Sequence, residues 1–250
     1  MTHTDSLPGL HDSGVGHGLL ADGLEELRRA AFLLVISTLL GIVGLIGIRD
    51  LIVKLYFDLL DWYRSNLWPA WDGKHVEVDI GVDVFVFLAL LLAAKVTGFM
   101  AVWRHLTRSI ALLAGFEPVA LHTPEMLVRL GYRYGVALDL VASLIVVAGL
   151  VSWLVWSNLE TLLALLSVTI SLQVLSNVLV LAGYIGVVMA CYRLGGILGE
   201  TRFTVAAVLF AVAILLSLVG LGGIFDLAAW LMVYTASASA LSRLDAMQAR

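Results

Sequence analysis

Two ionisable side chains interrupt apolar runs of the sequence, where a charge is costly. Lys95 lies in the run 82–103, eight residues before the end of that run. Asp139 lies in the run 134–156, about five residues after its start. Arginines lie just beyond both of these ends. An ionisable group within a bilayer costs roughly 2.5–3.5 kcal/mol on insertion scales and usually faces protein or water. Both groups reach a similar depth, roughly 8–12 Å at 1.5 Å per residue, so the sequence predicts that they pair. A structural ion pair, a lysine that snorkels to the inner surface and a pathway for protons or ions are all compatible with this placement.

A row of polar side chains follows one face of the long apolar run 159–192. Thr169, Gln173 and Asn177 follow each other at intervals of four residues, and Tyr184 lies seven residues further on. These intervals bring all four side chains onto one stripe of a helix. Side-chain amides in a membrane helix need hydrogen-bond partners that lipid does not supply. We therefore expect the stripe to face the first or the third spanning helix, or a partner subunit.

The stretch 74–84 alternates acidic residues with valines, which is the period of a β-strand, although the chain offers no second strand to pair with it. If the stretch is helical instead, His75, Asp79 and Asp83 lie four residues apart on one face, with Glu77 nearby. Such a group could hold a divalent cation. A solvated acidic collar on the outer surface is the alternative, and we favour it over the metal site.

The sequence lacks the motifs of common catalytic and cofactor sites. The nucleophile elbow GxSxG, the zinc motif HExxH and the phosphate-binding loop GxxxxGKS/T do not occur. Cys191 is the single cysteine, which excludes an internal disulfide and a multi-thiolate metal site. None of the six histidines lies within a predicted span, which excludes bis-histidine haem ligation. We therefore expect neither an enzyme nor a bound cofactor.

Composition indicates a membrane protein. Apolar residues make up 61% of the 250 residues, charged residues make up 14%, and the mean hydropathy is +0.99. In soluble proteins about a quarter of the residues are charged. The net charge of −4 is small, so we expect the lipid bilayer and not nucleic acid as a partner. Six apolar runs predict an all-α, polytopic transmembrane helical bundle of about six spans: 30–48, 82–103, 134–156, 159–192, 203–219 and 227–241.

The fourth of these runs is too long for one crossing of the bilayer. Its 34 residues carry Glu160 as the only charge and make roughly 50 Å of helix, whereas about 20 residues cross the bilayer core. We predict one continuous helix whose first two turns or more stand outside the bilayer, against the residues that follow Arg49. Long helices then protrude on the outer side, beside an outer loop 49–81. An inner loop 104–133 is expected to contain, at Pro124, the start of a helix that leads into the membrane.

The distribution of arginine and lysine predicts the orientation. Ten of these cations lie in the segments on one side of the predicted spans, and none lies in the short loops after the third and the fifth span. Cationic loops stay on the cytoplasmic side of a membrane. We therefore expect the chain in the cell membrane with both termini cytoplasmic. Residues 1–21 are predicted to form a mobile cytoplasmic tail, and 22–250 a single transmembrane domain.

Two stretches of the sequence carry a resemblance to known proteins. One is the closing CYRLGGILGETRFTVAAVLFAVAILLSLVGLGGIFDLAAWLMVY, with its tyrosine-x-leucine-glycine motif, short polar turn and two last helices. The other is the opening GLEELRRAAFLLVISTLLGIVG. In the first the chain resembles a family of uncharacterised archaeal polytopic membrane proteins, and the second is similar to the amino-terminal helix of that family. The resemblance implies a helical membrane fold and an archaeal origin, and it assigns no site residues.

Two functions are compatible with these features. The first is a non-catalytic structural or accessory subunit that assembles with other membrane subunits or with itself. The small-residue faces of the helices and the missing catalytic set favour it. The alternative is a transporter or translocation channel for an ion, a small solute or a macromolecule, which would use Lys95, Asp139 and the polar stripe.

Overall fold

The computed structural model describes residues 14–49, 52–53, 56–57, 59–61, 63, 83–156, 159–217 and 221–248. Within these ranges the chain is helical except at short turns and contains no strand, which confirms the predicted all-α bundle. The candidate metal ligands His75, Glu77 and Asp79 lie outside the described residues, as does the side chain of Asp83. Most of the stretch predicted as a strand lies outside them too.

The described residues form a series of helices. They are α1 Gly14–Gly47, α2 Asp83–Met100, α3 Thr107–Phe116, α4 Pro118–Leu127, α5 Arg133–Trp156, α6 Leu159–Leu198, α7 Thr201–Ser217 and α8 Gly222–Gln248. The π-helical turn Ala101–Leu106 joins α2 to α3, and the π-helical turn Val128–Tyr132 joins α4 to α5. Helical dihedrals on both sides of each π-helical turn make α2–α3 and α4–α5 continuous helices that are locally widened.

In the part of the chain that the structure describes, five helical stretches are long and apolar enough to cross a bilayer. They are Gly16–Gly47, Val84–Phe116, Pro118–Trp156, Glu160–Leu198 and Gly222–Met247. α7 is also apolar but has only 17 residues, about 25 Å of helix against a bilayer core of about 30 Å. The chain is therefore a polytopic helical membrane protein, in which α7 is the short member of the six predicted spans.

Three antiparallel helix pairs build the bundle. α1 runs against α2 and α3, since Gly44 approaches Leu91 near one end of the pair and Gly23 approaches Leu113 near the other. α4 and α5 together run against α6, and α7 runs against α8. α8 also packs on α1, α7 on α6 and α2 on α5. The helices α1, α2, α5, α6, α7 and α8 therefore form a closed ring.

The predicted inner loop 104–133 is helical apart from a corner at Glu117. Glu117 leaves the helical region with φ −132° and ψ 77°, because the residue before a proline avoids the α conformation. Pro118 opens α4, where its missing N–H removes no helical hydrogen bond. The helix predicted to begin at Pro124 therefore begins at Pro118, and Pro124 lies in its interior.

Helices extend past the apolar spans at the end of the bundle that carries the arginines. There α3 pairs with α1, and α4 pairs with the last turns of α6, around the buried side chains Leu24, Leu113 and Leu194. α6 is one helix of 40 residues, which confirms its predicted continuity. The sequence predicts the excess length of this helix at the outer end. In the structure a large part of it lies at the arginine-rich end, because α4 supplies a packing partner there.

The start of α6 packs near the end of α1. Its predicted contact with the residues after Arg49 concerns a segment of which only a part is described. Leu162, in the first turn of α6, is fully buried in an apolar cluster with Ile48, Leu150 and Trp153. The cluster therefore brings the beginning of α6 next to the end of α1.

Candidate functional site

The predicted pair of Lys95 and Asp139 is present in the structure. Lys95 Nζ lies 2.7 Å from Asp139 Oδ2, across the contact between α2 and α5. The lysine side chain is 45% exposed and the aspartate side chain 17% exposed, so the pair lies at the edge of the bundle and not in its core. A charge-assisted hydrogen bond of this length neutralises two groups that are each costly alone in a bilayer. The predicted interaction is confirmed.

Gln173 completes the hydrogen bonding of Asp139. Gln173 Nε2 donates to Asp139 Oδ1 at 3.0 Å and to Asn177 Oδ1 at 3.2 Å. Both carboxylate oxygens of Asp139 therefore receive a donor, one from α2 and one from α6. At this level the polar stripe faces α5, which is the third predicted spanning helix. Asn177 itself is exposed, so the described residues do not bury its side-chain amide.

The other two members of the stripe have different surroundings. Thr169 Oγ1 donates to the Leu165 carbonyl of its own helix at 2.8 Å. Tyr184 lies further along α6, and its hydroxyl donates to Asp226 Oδ1 at 2.5 Å. The stripe thus contributes to two polar clusters, one around Asp139 and one around Asp226, because the neighbours of α6 change along its length.

Asp226 is absent from the site residues that the sequence predicts. The predicted sixth helix begins one residue after it, whereas α8 begins four residues before it, so the structure places Asp226 inside the helix. Thr38 Oγ1 of α1 lies 3.5 Å from Asp226 Oδ2 and 2.9 Å from the Leu34 carbonyl. The available signal is that Asp226 is the only charged residue in 203–242. A single acidic residue in so long an apolar stretch indicates a candidate site in the same way as Lys95 does.

Two tyrosines lie between the two carboxylates. Tyr132 is buried in the π-helical turn before α5, and its ring centre is 5.2 Å from that of Tyr184. Asp139 and Asp226 both act electrostatically on the Tyr132 hydroxyl. Further aromatic rings of α7 and α8 continue the packing beyond Tyr184. The polar and aromatic network therefore extends from α2 across the ring of helices to α8.

Glycines allow Tyr132 to reach this position. A Cβ built on Gly183 would lie 2.2 Å from Tyr132 Cβ and 2.4 Å from the Tyr132 nitrogen. A Cβ on Gly131 would lie 2.6 Å from the backbone nitrogen of Gly183. Only residues without a side chain permit such an approach. α6 and the π-helical turn therefore touch along their backbones beside the tyrosine pair.

Acidic side chains also tie helices together at the arginine-rich end. Glu26 Oε2 of α1 lies 2.6 Å from His105 Nδ1. Glu200, in the connection between α6 and α7, is buried, pairs with Arg243 and accepts a hydrogen bond from Ser239 at 3.2 Å. These contacts hold α1 to the first π-helical turn and α8 to the α6–α7 connection, which is a structural role.

Arg193 compensates for the proline inside α4. Pro124 has no N–H, so the Ala120 carbonyl one turn earlier loses its helical donor. The Arg193 guanidinium of α6 donates to that carbonyl. Arg193 is one of the cations from which the orientation is predicted, and it thus also contributes to the packing between α4 and α6.

In the part of the chain that the structure describes, no group of three or more His, Cys, Asp or Glu side chains is placed to hold a metal ion. Comparison of the chain with protein-family models, with curated proteins and with solved structures gives no match. The resemblance to archaeal polytopic membrane proteins stays a prediction.

Proposed function

We propose that the protein provides a pathway for protons across its membrane, as a channel or a transporter, with Asp139 as a protonatable group on that pathway. The observation that carries the proposal is the network in which Lys95 and Gln173 bind Asp139 and two tyrosines with tilted rings in contact lie between Asp139 and Asp226. Carboxyl, amine and hydroxyl groups exchange protons, and ionisable residues within membrane helices commonly mark proton and ion pathways.

The two π-helical turns support the same proposal. They lie within two continuous apolar helices, at 101–106 and 128–132, and the second of them carries Tyr132. The guanidinium of Arg133, the residue after the second turn, lies 3.8 Å from the centre of the Trp103 ring in the first turn. π-Helical turns within α-helices are frequent at functional sites.

Proton flux into liposomes tests the proposal. Purified protein is reconstituted in vesicles that contain a pH-sensitive dye, the outside is acidified, and valinomycin with potassium balances the charge. We expect acidification to be faster with the protein than in protein-free vesicles, and about tenfold slower for Asp139→Asn than for the unmodified protein.

Glu125→Gln is the matched control. It makes the same chemical change in a carboxylate that pairs with Arg129 at 3.4 Å, outside the network, and we expect it to leave the flux unchanged. A flux equal to that of protein-free vesicles would refute the pathway. Equal fluxes for Asp139→Asn and the unmodified protein would remove Asp139 from it.

A structural or accessory subunit is the second candidate function, and one observation favours it. Asn177 is exposed on an otherwise apolar face of α6, where Val174 and Val178 are exposed beside it. An amide on such a face can bond to a second membrane chain. Asn177→Leu is then expected to weaken assembly by roughly 1 kcal/mol, measured as a monomer–oligomer equilibrium in detergent. A chain that is monomeric at all protein-to-detergent ratios would contradict this function for self-assembly.

For the orientation, we propose that the arginine-rich end faces the cytoplasm. The contacts of Arg108, Arg193 and Arg243 all lie at that end of the bundle, which is the side that cations favour. Single cysteines at Glu160 and at Ser242, in a chain without Cys191, are expected to react with an impermeant maleimide from opposite sides of the cell membrane. Reaction of both from one side would contradict the proposal.

A further inference from the structure

We propose that Asp226 is a proton-binding site of the membrane domain and holds a proton in the conformation described here, while Asp139 is a charged carboxylate. The hydrogen bonds of Asp226, and not transport, support this assignment. It deepens the proposed function by adding a second protonatable group to the pathway.

The hydroxyl of Thr38 determines which atom must carry the proton. A hydroxyl has one hydrogen to donate and can accept in return. Thr38 Oγ1 lies 2.9 Å from the Leu34 carbonyl and 3.5 Å from Asp226 Oδ2, so its hydrogen goes to the closer carbonyl. Its oxygen then presents a lone pair to Oδ2. Two lone pairs repel, whereas a proton on Oδ2 makes this contact attractive, although its length of 3.5 Å exceeds that of an ordinary O–H···O hydrogen bond.

The other carboxyl oxygen fits the same state. Tyr184 donates its hydroxyl hydrogen to Asp226 Oδ1 at 2.5 Å. A carboxylic acid with its proton on Oδ2 keeps Oδ1 as a carbonyl acceptor, so Asp226 can accept from Tyr184 and donate to Thr38 simultaneously. Each oxygen of Asp226 then has a partner of the correct kind.

Asp139 shows the opposite pattern. Its two oxygens accept from Lys95 Nζ and Gln173 Nε2, which stabilises the charged form. In the described part of the chain Asp226 takes part in no ion pair, and an unpaired charge among apolar helices is costly. Both carboxyl groups act on Tyr132, so a second negative charge at Asp226 would add to that of Asp139 in the same region. The two acids therefore differ in protonation.

The titratable groups that face Asp226 from the elements around it are tyrosines. α6 supplies Tyr184 and the second π-helical turn supplies Tyr132, whereas α1 supplies the neutral Thr38. Trp230 lies one turn further along α8, and its buried indole N–H lies near the Asp226 carboxyl without forming a hydrogen bond of full geometry within the described residues. This indole N–H is a donor that a deprotonated Asp226 can gain, which provides a second state for the site.

Infrared spectroscopy of the full-length protein in lipid tests the proposal directly. Protein with carbon-13-labelled aspartate carboxyl groups shows the C=O stretching band of any protonated aspartic acid. At neutral pH we expect such a band in the unmodified protein, its loss in Asp226→Asn, and its persistence in Asp139→Asn. Absence of the band from the unmodified protein, or its persistence in Asp226→Asn, would overturn the proposal.

Thr38→Val is the second variant, for use if Asp226→Asn does not fold. It removes the acceptor for the Oδ2 proton, so the band is expected to shift to higher frequency because the acid loses a hydrogen bond. An unshifted band would show that Thr38 does not bind the proton. The result is separable from the proposed function: a band that depends on Asp226 without proton flux in liposomes supports this site and refutes the pathway, whereas flux without the band does the reverse.

Discussion

Gly183→Ala tests whether the backbone contact between α6 and Tyr132 holds the network together. The added Cβ would lie 2.2 Å from Tyr132 Cβ, whereas carbon atoms in contact are about 3.5–4.0 Å apart. The two backbones must therefore separate by roughly 1.3–1.8 Å. Neither the Tyr132 backbone nor α6 can rotate away as a flexible side chain would. We expect a cost of about 1–3 kcal/mol, the usual range for overpacking that shifts a backbone.

Gly196→Ala is the matched control for this change. Gly196 lies in the same helix, and a Cβ there meets no atom within 4 Å. Alanine is favoured over glycine in a helix by roughly 0.5–1 kcal/mol, and this gain applies to both variants. The difference between them therefore isolates the steric overlap. Gly183→Ala should be less stable than Gly196→Ala by about 1–3 kcal/mol.

Reversible unfolding by sodium dodecyl sulfate in mixed micelles, followed by far-ultraviolet circular dichroism, measures both stabilities. The proton flux of Gly183→Ala should also fall, because separation of the backbones moves Tyr132 away from Tyr184. Equal stabilities of the two variants would refute the backbone contact. A destabilised Gly183→Ala with unchanged flux would show that the contact is structural and that the tyrosine pair is not needed for conduction.

The remaining predictions use the same unfolding assay or a labelling assay. Lys95→Met and Asp139→Leu should each destabilise the protein, and the double variant should lose less than their sum; strict additivity would mean that the two groups do not interact. Arg193→Met should cost about 1–3 kcal/mol by leaving a carbonyl without a donor, and much less in a Pro124→Ala chain, where the alanine N–H supplies the donor. Equal losses in both backgrounds would show that the arginine acts elsewhere. Cys191, which is 3% exposed, should resist a membrane-permeant maleimide until the protein is unfolded, and fast labelling of the folded protein would contradict its burial.

The pairing of Lys95 with Asp139 was predictable because a bilayer penalises each charge alone. Two such groups at the same depth on consecutive helices have few other ways to lower their energy. The continuity of α6 was predictable for a similar reason. The predicted run 159–192 carries one charge in 34 residues, and the glycines near its end are tolerated in a membrane helix. In both cases the lipid bilayer, and not a particular neighbouring residue, determines the structure.

Asp226 and the helices in 104–133 were not predictable in the same way. Two glycines precede Asp226 by a few residues, so the sequence is compatible with a turn that ends on either side of it. In 104–133 the arginines and prolines are typical of a loop, and buried leucines such as Leu106 and Leu121 do not stand out in so apolar a chain. These segments become helices with a core because α1 and α6 extend far enough to pack against them. Tertiary contacts, and not the local sequence, determine whether such segments become helices.

The ring of helices closes only when α8 is inserted. α8 packs against α1 as well as α7, so the helix that closes the ring is synthesised after the five other helices of the ring. Until the last hairpin is inserted, the Tyr184 hydroxyl lacks its acceptor, because Asp226 arrives with the helix that closes the ring. A chain that stops before α7 therefore leaves this hydroxyl on an open side of the bundle. The same contact that we assign to proton binding thus distinguishes a chain that contains α8 from one interrupted before it, because an unpaired polar group within the membrane is costly.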